Sequence, residues 1–132
     1  MNPSTASTEY MLLYRGQDWD EGLTEEEVQD ILNRSMAWFE ALDRQGKVKA
    51  SQALDRTGCL VRKGALVLDG PFAESKEAIG GYLLLQGVTY QEAVAIAKSS
   101  PNVEFGITIE VRPTMKECPI SKRLRERQTA LA

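Results

Sequence analysis

Two segments of the chain begin a helix in the same way, and this repetition constrains the fold more than any other feature. Gly22-Leu23-Thr24 and Gly87-Val88-Thr89 both place a glycine and an apolar residue before a threonine, with a glutamate three residues later. This is the capping-box pattern of a helix N-terminus. A short apolar run precedes each segment, Tyr10-Met11-Leu12-Leu13-Tyr14 in the first half and Tyr82-Leu83-Leu84-Leu85 in the second. The chain therefore contains two predicted strand-helix units.

Each unit continues into a further predicted strand. Alternate residues from Val48 to Leu54 are apolar or uncharged, and residues 103–111 alternate strictly between apolar and polar, a period typical of a strand with one apolar face. Between the units, Cys59–Arg62 and Ala65–Leu68 flank Lys63-Gly64 as a predicted hairpin. This order predicts an α+β domain, a ferredoxin-like split βαβ fold with an antiparallel sheet and an added hairpin.

Two helices can cover only one face of such a sheet. The other face must be solvated or covered by another chain, and we expect a homodimer in which the uncovered sheet faces pair. The domain is predicted to span residues 9–113, after a disordered segment at residues 1–8. Residues 114–132 form a basic extension that is predicted to be helical.

Composition restricts the partners more than it restricts the fold. The 132 residues are 42% hydrophobic, enough for one core, and the net charge of −3 gives no general attraction to nucleic acid or to anionic membranes. No apolar run approaches the length of a membrane span, and the first residues lack the pattern of a secretory signal. We expect a cytoplasmic protein with a small-molecule ligand, and neither nucleic acid nor a membrane as its partner.

The absence of histidine excludes several kinds of active site. Imidazole is the commonest general base near neutral pH and the commonest transition-metal ligand, yet the chain has no histidine. Ser-His-Asp and Cys-His nucleophile systems and His-ligated zinc are therefore excluded. Cys59 and Cys118 are too few and too far apart for a disulfide framework. No metal or cofactor is predicted, and any chemistry would use side chains such as carboxylates, arginine or tyrosine.

The segment Asp69-Gly70-Pro71-Phe72 follows the predicted hairpin and has the composition of a turn. Gly80-Gly81-Tyr82 comes shortly afterwards, and paired glycines before a strand allow the close approach of another backbone or of a ligand. Together with Glu110-Val111-Arg112-Pro113 and the opening strand, these residues resemble the DGPF subgroup of the YCII-related domain family. The resemblance covers most of the chain, roughly residues 9–113.

This resemblance implies a ferredoxin-like fold whose sheets pair into a dimeric α/β barrel, in bacterial cytosolic proteins that mostly lack an assigned reaction. In some relatives a His-Asp pair is the proposed catalytic centre, and certain relatives eliminate chloride from chlorinated hydroxyquinols. That pair cannot be present here because histidine is absent. The resemblance makes Asp69 the leading candidate for a site residue. Members also occur beside extracytoplasmic-type sigma factors, which implies regulation rather than metabolism.

The alternation of the last strand predicts which residues would surround a ligand. If Phe105, Ile107 and Ile109 face the helices, then residues 108, 110 and 112 face the cavity between the paired sheets. There Glu110 is a second candidate for acid-base catalysis, with Tyr82 or Tyr14 as a hydrogen-bond donor. The predicted binding residues are Arg112, Tyr82, Phe72, Thr108 and Gly81.

Three functional hypotheses remain open at this point. The first is an enzyme of the lyase or isomerase type in which Asp69 or Glu110 acts as acid or base and Arg112 fixes an anionic substrate. The second is a non-catalytic ligand-sensing or regulatory module associated with an extracytoplasmic-type sigma factor. The third is a purely structural dimer that has no pocket at all. For Glu110 and Arg112, an interface salt bridge is the alternative to a role in ligand binding.

Overall fold

A computed structural model of the protein describes residues 8–16, 19–69 and 79–131. Its elements, in chain order, are β1 (Tyr10–Arg15), α1 (Glu25–Arg44), β2 (Val48–Ala53), β3 (Cys59–Arg62), β4 (Ala65–Asp69), β5 (Ile79–Leu85), α2 (Tyr90–Ser99), α3 (Pro101–Glu104), β6 (Thr108–Pro113) and α4 (Pro119–Leu131).

The four strands of the two predicted units form one sheet in the order β2-β5-β1-β6. Every neighbouring pair is antiparallel, and Leu12 of β1 lies opposite Leu83 of β5 and Val111 of β6. This is the strand order of a ferredoxin-like split βαβ fold. The predicted fold class is therefore confirmed. The added hairpin, β3 and β4, forms a separate two-stranded sheet.

Both predicted capping boxes are present. The backbone amide of Glu27 donates to Thr24 Oγ1 at 3.1 Å, and the amide of Thr24 donates to Glu27 Oε1 at 3.0 Å. The same reciprocal bonds join Thr89 and Glu92 at 3.1 and 3.2 Å. Because these bonds satisfy amides that a helix leaves unpaired at its start, they set the first turns of α1 and α2.

The predicted strand over residues 103–111 is wrong in its first half. Residues Pro101–Glu104 form the short helix α3, and β6 begins only at Thr108. Proline at the first helical position has the backbone angle that a helix needs and no amide to leave unpaired. Gly106, with φ of +89°, then turns the chain back toward the sheet. The alternation of Val103 and Phe105 was therefore not a strand signal.

The core lies between one face of the sheet and the helices. Tyr10, Leu12, Leu83 and Leu85 are buried there, in a cluster that also contains residues of α1 and α2. Their sequence neighbours Met11, Leu13, Tyr82 and Leu84 alternate to the other face and are only partly buried. We call this second surface the open sheet face. No described residue of α4 is buried. Within the described part of the chain, no helix is both long and apolar enough to span a bilayer.

Candidate functional site

A cleft of about 390 Å³ lies on the helix side of the sheet. It is bordered by the last residues of β1 and β2, the first residues of β5, and residues of α1 and α3. Aromatic residues line it, among them Tyr14, Trp19 and Phe39, together with the aliphatic residues Leu54, Leu83 and Ile107. Much of the lining is thus aromatic or aliphatic, as in most sites that bind small molecules.

A buried polar group lies beside this cleft. Ser100 is only 1% exposed, and its hydroxyl donates to Asn102 Oδ1 at 3.2 Å. Both Tyr14 and Asn102 line the cleft. Burial raises the pKa of Tyr14 to about 12, an effect that the hydrogen bond with Ser100 opposes only in part. Tyr14 is therefore a neutral hydroxyl at physiological pH and cannot serve as a base.

Arg56 brings a positive charge to the cleft, and Ser51 and Gln52 add polar groups. Among the residues that the structure describes, no aspartate, glutamate or histidine lines the cleft. A cationic ligand would therefore meet no opposite charge among these described lining residues. A flat ring could lie between the aromatic side chains while its oxygens contact Tyr14 and Arg56.

Gly81 allows two strands to come unusually close at the edge of the cleft. A Cβ atom at this position would lie 2.9 Å from the carbonyl oxygen of Gln52 and 3.3 Å from Ala53 Cα. The close approach expected from the paired glycines is thus an approach of backbone, between β5 and β2. Residues 52, 53, 80 and 81 consequently form one compact border of the cleft.

Three of the predicted site residues occupy the open sheet face instead. Register pairs Leu13 of β1 with Glu110 of β6, so Thr108, Glu110 and Arg112 lie across the sheet from the core side chains. Arg15 donates to Glu110 Oε1 through Nη2 at 2.5 Å and through Nε at 3.1 Å. Arg112 Nε lies 3.7 Å from Glu110 Oε2.

In this arrangement Glu110 forms ion pairs with Arg15 and Arg112. The hydrogen bond from Arg15, followed by the charges of Arg15 and Arg112, outweighs desolvation and holds the pKa of Glu110 below its ordinary value. A carboxylate with a lowered pKa is a weaker base. A general base at this position would need a raised pKa, and the pKa of Glu110 is lowered instead.

The predicted site residues are thus divided between two surfaces. Gly81 borders the cleft, whereas Thr108, Glu110 and Arg112 lie on the open sheet face. Tyr82 belongs to both surfaces: it touches the cleft border at its place in β5, and alternation along the strand directs its side chain to the open sheet face. The backbone of Asp69 ends β4 and pairs with Cys59, and Phe72 lies outside the described residues.

Sequence reasoning missed Trp19, Phe39, Arg56 and Asn102 as cleft residues, and the buried Ser100 beside them. They come from several elements and share no spacing that a sequence pattern could reveal. No group of metal-ligating side chains occurs among the described residues.

Comparison with known proteins identifies the domain. The model of the YCII-related domain matches residues 8–116. No curated protein matches the sequence significantly. Among solved structures, the chain is similar to 5-chloro-2-hydroxyhydroquinone dehydrochlorinase from Burkholderia phenoliruptrix, in complex with 2,5-dihydroxybenzoquinone. The identity is 13% and the TM-score 0.50, over 83% of this chain and 95% of the other. A likeness at this identity shows a shared fold.

Proposed function

Because the chain belongs to the YCII-related domain family, we propose that it binds a small planar molecule with ring oxygens in the cleft on the helix side of its sheet. The observation that carries this proposal is the combination of aromatic walls with a buried hydroxyl group and one cation. Trp19 and Phe39 offer flat apolar surfaces, and Tyr14 and Arg56 offer polar contacts. The volume of about 390 Å³ suits a single-ring ligand.

The proposed class of ligand is consistent with the name of the structural neighbour, which acts on a chlorinated, hydroxylated ring. In a dehydrochlorination, a base takes a proton from the substrate and chloride leaves with the bonding electrons of the carbon-chlorine bond. Tyr14 cannot be that base because its pKa is about 12. Glu110 is disfavoured because its pKa is lowered and it lies on the open sheet face.

Asp69 is therefore the proposed base if the protein is a lyase. Its Cα pairs with that of Cys59 in the hairpin, and Cys59 follows the cleft residue Arg56 by three residues. Three residues of chain and one strand pair span at most about 16 Å. The Cα atom of Asp69 therefore lies no more than about 16 Å from that of Arg56 at the cleft border. The DGPF motif position supports the same choice.

Calorimetric titration with 2,5-dihydroxybenzoquinone tests binding. We expect Arg56→Ala and Tyr14→Phe to weaken binding, each by about tenfold, the effect of one charged or neutral hydrogen bond in a partly exposed site. Arg112→Ala is the matched variant, since it removes an arginine from the open sheet face. If Arg112→Ala weakened binding and Arg56→Ala did not, the ligand site would lie on the open sheet face and the proposal would be wrong.

Chloride release from 5-chloro-2-hydroxyhydroquinone tests catalysis. The lyase hypothesis requires release by the wild-type protein and its loss in Asp69→Asn. Binding without chloride release would favour the second candidate, a non-catalytic ligand-sensing module of the kind predicted to act with a sigma factor. The lack of a carboxylate among the described residues that line the cleft favours that candidate.

We further propose that the open sheet face forms the interface of a homodimer. Met11, Leu13 and Leu84 are only partly buried there in the single chain. Light scattering should report a dimer at micromolar concentration, and Leu13→Glu should convert it to a monomer because it places an unpaired charge in the interface. Leu32→Glu, on the 41% exposed side chain of an α1 residue, is the control and should remain dimeric. A monomeric wild-type protein would contradict the proposal.

A further inference from the structure

The hairpin of β3 and β4 stands apart from the rest of the domain. It forms a two-stranded sheet of its own, and neither strand pairs with the four-stranded sheet. All residues from Ser51 to Cys59 are exposed, and Val61 of β3 is 77% exposed. An isolated two-stranded hairpin is at best marginally stable in water, so this one needs a further surface to pack against. We call residues 54–69 the hairpin arm.

The strands of the hairpin arm have the sequence of covered strands. Ala65-Leu66-Val67-Leu68 is apolar throughout, and Cys59-Leu60-Val61 is an apolar run in the facing strand. Cys59 and Val61 are two residues apart and therefore share one face of β3. Both are exposed in the single chain. Proteins usually protect an exposed strand with charged side chains, so an apolar face of this kind indicates an interaction surface.

The base of the hairpin arm is ordered by local hydrogen bonds. Asp55 Oδ1 accepts from the Thr57 amide at 3.0 Å and from the Thr57 hydroxyl at 3.1 Å. The Leu54 amide donates to the Gly80 carbonyl at 2.9 Å, which ties the arm to the first residues of β5. These bonds give the arm a defined starting direction at the end of β2. A surface that is already ordered loses less conformational freedom when it docks.

The area of the open sheet face indicates why a dimer would need the hairpin arm. Four strands about 4.8 Å apart, most of them six residues long, give a face of roughly 400 Å². Two such faces bury about 800 Å², whereas specific and stable interfaces bury about 1,200 to 2,000 Å² in total. One face of the hairpin measures about 150 Å² and would cover a similar area of a partner. Two arms therefore bring the buried area to about 1,400 Å², within the range of a stable dimer.

We propose that the hairpin arm docks on a second copy of the chain through the face that carries Cys59 and Val61. This inference rests on the proposed homodimer, in which the open sheet faces pair. The arm follows β2, which is an edge strand of the same sheet, so it begins beside that interface. Each arm then extends the interface past the edge of the sheet and covers its own apolar face in the same contact.

A charge on the hairpin arm tests the contact. Val61→Glu should raise the Kd of the dimer by about tenfold or more in a light-scattering dilution series, because it places an unpaired carboxylate in an apolar interface. The Val61 side chain is 77% exposed in the single chain, so the fold should be unaffected, as circular dichroism would show. Ile120→Glu is the matched control, since Ile120 of α4 is 71% exposed and lies outside the arm. Its Kd should equal that of the wild type.

The two cysteines provide a second measurement, which leaves Val61 unchanged. Both thiols are exposed in the single chain, Cys59 in the hairpin arm and Cys118 just before α4. Cys118→Ser protein reports the labelling of Cys59 by dithiobis(nitrobenzoate), and Cys59→Ser protein reports that of Cys118. Raising the protein concentration from about tenfold below to about tenfold above the Kd of the dimer should slow the labelling of Cys59 by roughly threefold or more. Cys118 should be labelled at the same rate throughout.

The outcomes separate the docking of the arm from the homodimer itself. If Val61→Glu left the Kd unchanged, or if Cys59 were labelled equally fast in monomer and dimer, the docking of the arm would be wrong. The homodimer would still stand in that case if Leu13→Glu abolished it. Slow labelling of Cys59 at every concentration would mean that its own chain covers the arm, which also contradicts the inference. A wild-type protein that stayed monomeric would overturn the homodimer and this inference with it.

Discussion

Replacing Gly81 with alanine should separate two strands of the sheet and destabilise the protein. The new Cβ would lie 2.9 Å from the Gln52 carbonyl oxygen and 3.3 Å from Ala53 Cα. An ordinary contact between these atoms is about 3.4 Å, so β2 and β5 would have to part by roughly 0.5 Å. The nearby bond from the Leu54 amide to the Gly80 carbonyl, now 2.9 Å, would lengthen with them.

Two opposing effects set the magnitude. Overpacking of this kind costs about 1 to 3 kcal/mol. Because Gly81 does not have a positive φ, alanine can adopt its backbone conformation, and the smaller entropy of the unfolded chain returns about 0.4 to 1 kcal/mol. At the middle of each range, about 2 and about 0.7 kcal/mol, the free energy of unfolding should fall by about 1.3 kcal/mol, which lowers Tm by roughly 3 to 6 °C for a domain of this size.

Urea unfolding monitored by circular dichroism measures the change. The clash involves backbone atoms of β2, so removing the Ala53 side chain should not relieve it. In a double-mutant cycle, Gly81→Ala and Ala53→Gly should therefore be destabilising without compensating one another. If Gly81→Ala were as stable as the wild type, or if Ala53→Gly restored its stability, the close approach of the two backbones would be wrong.

Three further predictions concern titration and capping. Burial raises the pKa of Tyr14 to about 12, above its value in the unfolded chain. The free energy of unfolding should therefore fall as the pH rises from 10 through the folded pKa. In urea unfolding between pH 10 and 12, Tyr14→Phe should show a shallower fall. The pKa of Glu110 is lowered chiefly by Arg15, so its ionised form contributes stability above the unfolded pKa that is lost on acidification. Glu110→Gln should therefore flatten the fall of the urea midpoint between pH 6 and 3, and an equally steep fall would contradict the ion pair. Thr24→Ala and Thr89→Ala should each lower the free energy of unfolding by about 1 kcal/mol, and a change near zero in thermal unfolding would argue against the capping boxes.

Local signals predicted most of the fold. The threonine-glutamate pairs located both helices, and the runs Tyr10–Tyr14 and Tyr82–Leu85 lie in the two central strands. These signals succeed because capping bonds and apolar runs depend on residues close in sequence. Alternation failed at Val103 and Phe105, where Pro101 and Gly106 determine the backbone instead. A period of two predicts a strand only where no stronger local preference competes with it.

The candidate site could be predicted only in part because it is made of distant residues. Alternation correctly assigned Glu110 and Arg112 to the face away from the core, since a strand position determines its side. It could not reveal the cleft, which forms where Tyr14 of β1, Phe39 of α1 and Asn102 of α3 meet. The family motif identified Asp69 without stating what lies around it. Contacts between elements far apart in sequence need the assembled fold.

The central strand β1 contributes side chains to both surfaces. Tyr14 lines the cleft and its immediate neighbour Arg15 binds Glu110 on the open sheet face. A deletion or insertion of one residue within β1 would exchange these two side chains and every other one along the strand. A change in the length of β1 that kept a regular register would therefore alter both surfaces at once. A substitution in β1 can change one surface alone, whereas a change in its length would alter both unless a β-bulge absorbed it, as the irregular registers of β5 with β1 and of β2 with β5 already do for single residues.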